Sequence, residues 1–166
     1  MREHGELGVY RGLGYQSGVG SFIYSDSMDG EDEYISDAKG YTTFFVTHAK
    51  VSENITSIGM ATFSYFSNLT NVVLPNSLKS IGTKKCTGIF GSIKLNNLTI
   101  PKNVTSMTTE FGSNIKNLYV ESESLTEVGN FTDFSGTIYV RNDAMKTLFE
   151  NNINSSKAKV STNYNW

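Results

Sequence analysis

The sequence predicts a repeat solenoid: a short stack of turns, each with one strand of a parallel sheet and an irregular or 3-10 return, closed by a C-terminal helical cap. Three observations carry that expectation. One apolar pattern recurs every 20 to 26 residues through the middle of the chain. A second apolar pair follows each copy in step. Near the C-terminus the apolar spacing changes to that of a helix.

The clearest copy is Leu69–Gly82, LTNVVLPNSLKSIG. Leu69, Val72 and Leu74 mark a strand, and Pro75 ends it because proline has no N–H for the ladder. The same spacing returns at Val46/Ala49/Val51, Leu95/Leu98/Ile100 and Ile115/Leu118/Val120, and at two of three positions in Ser135/Ile138/Val140. The return path is anchored by Ile55 and Ile58, Leu78 and Ile81, Val104 and Met107, then Leu125 and Val128. Phe63 and Cys86 each lie five residues beyond the Ile of a Ser-Ile-Gly triplet and are expected to share one core slot. Gly88–Lys94 reads as an insertion. No turn of this kind buries its own apolar face, so neighbours must stack, with strands pairing in parallel from turn to turn.

Three segments follow: a glycine-rich N-terminal cap or interaction arm (1–45), the solenoid (46–141) and a C-terminal cap (142–166). In the cap, Ala144, Met145, Leu148 and Phe149 fall on one helical stripe, with Asn142 or Asp143 placed to cap its start. Lys157–Val160 is expected to add a final strand. Residues 1–40 hold eight of the fifteen glycines yet are rich in Tyr10, Tyr15, Phe22, Tyr24 and other apolar side chains, too many for a solvated tail. They either cap the first turn, with Val19, Phe22 and Tyr24 as a degenerate further copy, or pack on another subunit.

Composition excludes several classes of function. With 14 basic against 16 acidic residues there is no electrostatic footprint for nucleic acid. No apolar run is long enough for membrane insertion, and MREHGELGVYRG lacks the apolar core of a signal peptide. A single cysteine, Cys86, excludes an internal disulfide and a multi-thiolate zinc site within one chain. Gly12–Gly20 (GLGYQSGVG) misses the dinucleotide spacing and the ending of a phosphate loop. Ser25–Ser36 has serine where a calcium loop needs its first, third and closing acidic ligands. His4 and His48 make no metal pair, and no serine elbow is present, so neither a cofactor nor a catalytic residue is expected. The Asn-x-Ser/Thr triplets at Asn54, Asn68, Asn97, Asn103, Asn130 and Asn154 read as turn asparagines.

The stretches ITSIGMATF, LTNVVLPNSLKSIG and LTIPKNVTSM resemble the BspA-like leucine-rich repeats over about residues 46–141. The chain departs from that pattern in losing the alanine–phenylalanine pair of the Ser-Ile-Gly step in later turns. The resemblance implies an exported, extracellular or cell-surface adhesion or binding module without enzymatic activity.

Strand alternation places two columns on the outer face of the sheet. One runs His48, Asn71, Asn97, Asn117, Thr137; the other runs Lys50, Val73, Thr99, Tyr119, Tyr139. A ladder of amides beside two tyrosines is a candidate protein or glycan contact face, because tyrosine joins apolar area to a polar tip. The alternative is a structural or decoration subunit of a larger assembly, such as a virion, anchored through the arm residues Tyr10, Tyr15, Phe22 and Tyr24.

Overall fold

The structure is a computed structural model. It describes residues 47–166 except 52, 54, 60, 61, 64, 65, 67, 83–88, 91, 92 and 155, and the backbone of residues 13–15 and 21–24. Among these the chain is a parallel β-solenoid of about five turns.

One wall of the solenoid carries the template strands. Its first part joins β1 (Leu13–Tyr15), β2 (Ser21–Tyr24), β3 (His48–Val51) and β5 (Asn71–Val73). Its second joins β7 (Leu95–Ile100), β9 (Ile115–Val120), β11 (Thr137–Val140) and β12 (Lys159–Ser161), and β5 lies beside β7. Within each part neighbours pair in parallel except β1, which runs antiparallel to β2. The predicted final strand is present, displaced by one or two residues from Lys157–Val160.

The return path is more regular than the sequence pattern implied. Each turn contributes a two-residue strand, β4 (Ser57–Ile58), β6 (Ser80–Ile81), β8 (Ser106–Met107) and β10 (Glu127–Val128), and these pair in parallel as a second wall. Its register sets Ile58, Ile81, Met107 and Val128 in one row. Side chains tie successive turns as well. Ser77 Oγ donates to the Ile55 carbonyl at 2.7 Å, and Ser122 Oγ to the Val104 carbonyl at 2.6 Å. Asn103 Nδ2 donates to the Asn76 carbonyl at 2.8 Å. Such bonds satisfy carbonyls that a turn leaves without a ladder partner.

Between the walls lies the apolar core. Every inward template residue described, from Ala49 and Val51 to Ile138 and Val140, is buried, as are the return anchors up to Leu125. A row of stacked phenylalanines runs along the axis: Phe63 to Phe90 at 5.7 Å, Phe90 to Phe111 at 5.6 Å and Phe111 to Phe131 at 5.1 Å between ring centres. Two expectations are corrected here. Phe90 continues the Phe63 slot that had been assigned to Cys86, because the Phe63 N–H donates to the Ile89 carbonyl and fixes the pairing there; Cys86 itself lies outside the described residues. Gly88–Lys94 is then not an insertion, since Ile89, Phe90 and Ile93 are core. The extra length falls earlier: Phe90 comes nine positions after Ile81, whereas Phe63 comes five after Ile58.

The helix α1 (Asp143–Glu150) closes the C-terminal end. Asn142 is its cap, with Oδ1 accepting the Met145 N–H at 2.9 Å. Met145 and Phe149 are buried, Phe149 meeting Phe131 edge-on at 5.6 Å. Ala144, placed on the apolar stripe by its spacing, is exposed instead, because the stripe is narrower than four residues.

Candidate functional site

The alternation that buries Val72, Leu98, Leu118 and Ile138 turns their neighbours outward. His48, Lys50, Asn71, Val73, Asn97 and Thr99 are exposed, while Asn117, Tyr119, Thr137 and Tyr139 are half-buried. Register aligns them as two columns. His48 pairs with Asn71, and Asn97 with Asn117, Thr137 and Lys159 in succession. Lys50 pairs with Val73, and Thr99 with Tyr119, Tyr139 and Ser161. The face therefore brings the expected side chains together on both parts of the wall.

The amide ladder is linked at one step, where Asn117 Nδ2 donates to Asn97 Oδ1 at 3.0 Å. Asn97 is thus a strand residue and not the turn asparagine its triplet suggested. His48 is exposed, with Nδ1 at 2.9 Å from Thr47 Oγ1. Val73 is the most exposed large apolar side chain among the described residues, at 49%.

At the C-terminal end of the face the tyrosine column becomes an aromatic cluster. Tyr119 and Tyr139 stack at 5.0 Å with ring planes 9° apart. Tyr164 lies against both, at 4.8 and 5.1 Å, and Trp166 meets Tyr164 edge-on at 5.1 Å. The Arg141 guanidinium sits 4.5 Å over the Trp166 ring. Burial pushes the Tyr119 phenol up from its ordinary value, and the neighbouring Tyr164 and Tyr139 add to the shift. Tyr164, Trp166 and Arg141 were not legible as face residues. The signal available was β12: once a strand ends at Ser161 beside Tyr139, the following aromatic tail must start next to the tyrosines.

Of the proposed arm residues, Tyr10 lies outside the described residues. Tyr15 belongs to β1, and Phe22 and Tyr24 hold the register positions of Ala49 and Val51. Cys86, His4 and the Ser25–Ser36 segment also fall outside the described residues, as does much of Gly12–Gly20. Among those described, no three His, Cys, Asp or Glu side chains converge as a metal group.

The family model for the BspA type leucine-rich repeat region, in six copies, matches residues 33–153. The chain belongs to the BspA-type leucine-rich repeat family. Neither the search of curated proteins nor that of solved structures gave a match. The BspA-type assignment makes this solenoid a protein-binding repeat module on a scaffold that is in general non-enzymatic, and such repeats are typically surface-associated. No helix among the described residues is long and apolar enough to cross a membrane.

Proposed function

We propose that this BspA-type solenoid is an adhesion module whose sheet face makes contact with a surface protein or glycan. The observation that supports this reading most is the aromatic cluster of half-buried Tyr119 and Tyr139 with exposed Tyr164 and Trp166 on a largely polar wall. Aromatic side chains that keep part of their area open to solvent, with polar tips, are the residues that anchor interfaces. The amide ladder beside them offers donors and acceptors at a fixed spacing of about 4.8 Å, the distance between strands.

The test is a panel of surface proteins and an immobilised glycan array, both probed with the intact chain and with Tyr119→Ser/Tyr139→Ser. Loss of the tyrosines is expected to weaken binding to the captured ligand by at least about tenfold. The melting temperature is expected to stay within a few degrees, since both side chains are half-buried on the outer face. Undiminished binding by the double variant overturns the reading. So does a collapse of stability, which makes the pair structural.

A further inference from the structure

The distribution of charge on the sheet wall narrows the class of partner. Across all eight strands of that wall, β1 to β3, β5, β7, β9, β11 and β12, there is no Asp or Glu. The charged residues within them are Lys50, Lys116 and Lys159, all exposed, with His48 exposed beside Lys50. Arg141 follows β11 directly and joins the aromatic cluster. Glu121 likewise follows β9 directly, one strand from Arg141 in register, and no carboxylate among the described residues lies within a strand of this wall. Glu53, Glu121 and Glu123 sit in the segments that follow strands, Glu110 and Asp133 beside the phenylalanine row, Glu127 on the second wall, and Asp143 and Glu150 on α1.

The described residues as a whole are nearly balanced, with nine Lys or Arg against eight Asp or Glu. Among the described residues, the strands of this wall carry lysines and no carboxylate, and so present a locally positive surface. Such a face attracts acidic partners and repels basic ones at the distance of a Debye length, about 10 Å at 0.1 M salt. The strands themselves supply the second requirement. A row of amides, Asn71 and Asn97 exposed and Asn117 half-buried, suits an extended backbone laid across them, and the aromatic cluster at one end gives an apolar anchor.

We infer that the sheet wall docks an acidic, extended segment of a partner protein, with Lys50, Lys116, Lys159 and Arg141 as its charge partners and the Tyr119–Tyr139–Tyr164–Trp166 cluster as its anchor. This inference rests on the contact-face reading above and specifies the partner.

The experiment measures fluorescence anisotropy of labelled peptides with the intact chain. The probes are a peptide alternating Glu and Ser around a central Tyr, its Gln-for-Glu counterpart and its Lys-for-Glu counterpart, with polygalacturonate as an acidic glycan competitor. The Glu peptide is expected to bind at least about tenfold more tightly than the Gln peptide, with the advantage lost at high salt. In Lys116→Glu/Lys159→Glu the preference is expected to reverse toward the Lys peptide at unchanged melting temperature. Equal affinity for the Glu and Gln peptides overturns the inference, as does an unchanged preference in the charge-reversed chain. Polygalacturonate that outcompetes the Glu peptide overturns it too, in favour of an acidic glycan. If the Glu and Gln peptides bind equally and both lose affinity in Tyr119→Ser/Tyr139→Ser, the contact face stands and only its charge preference falls. If no peptide binds, the acidic segment is rejected, while the protein and glycan panel still judges the face.

Discussion

Gly129 has an ordinary backbone conformation and is fixed by space alone. A Cβ built on it collides with the carbonyl oxygen of Thr109 on the preceding turn, because the two chains pass at backbone contact distance. Gly82 is constrained twice, by φ of +84° and by the Thr109 backbone nitrogen, which would stand 2.9 Å from any Cβ. Gly129→Ala is therefore expected to cost about 2–3 kcal/mol, read as a lower urea midpoint, since the obstacle is backbone and not a flexible side chain. Tyr119 makes a prediction in pH. Its phenol is raised above the ordinary value of about 10, so the folded chain favours the neutral ring. That contribution is complete below about pH 10 and is lost as pH rises through the folded-state value. The melting temperature of Tyr119→Phe is expected to fall less steeply above pH 10 than that of the unaltered chain.

At the level of elements, the template strands were readable because a buried wall demands strict alternation, and Leu69, Val72 and Leu74 state it in full. The phenylalanine row was not readable, for a physical reason. Phe63, Phe90, Phe111 and Phe131 follow their return anchors by five, nine, four and three residues, so no fixed spacing marks them. Inter-turn hydrogen bonds, such as Phe63 N–H to the Ile89 carbonyl, decide which residues align, and loops of different length are absorbed at the surface. The helix α1 was legible because an asparagine cap and a 3.6-residue period coincide. Asn142→Ala is expected to destabilise the chain by about 1 kcal/mol through loss of the bond to the Met145 N–H, visible as a small drop in melting temperature. The aromatic end of the candidate site was half legible. Tyr119 and Tyr139 lie in the repeat, but Tyr164 and Trp166 belong to no period and reach the face only by the path of the chain after β12.

The whole molecule is a stack in which each turn touches its neighbours, so its stability depends on how the last turn is sealed. Removing residues 142–166 takes Met145 and Phe149 from the core and bares Phe131, which otherwise packs against Phe111, Phe134 and Phe149. A chain ending at Arg141 is expected to lose several kcal/mol and to bind a hydrophobic dye, a change checked by urea titration and dye fluorescence.

The antiparallel β1 at one end and α1 with β12 at the other give the wall unlike ends. From β3 to β12 the wall runs over six strands in two paired parts, with β5 beside β7, and at about 4.8 Å from strand to strand the outward columns cover about 24 Å. An extended chain advances about 3.3 Å per residue, and a segment crossing the whole row meets it with about seven residues. The number of turns is thus a ruler: each added or deleted repeat changes the length of partner that fits by between one and two residues.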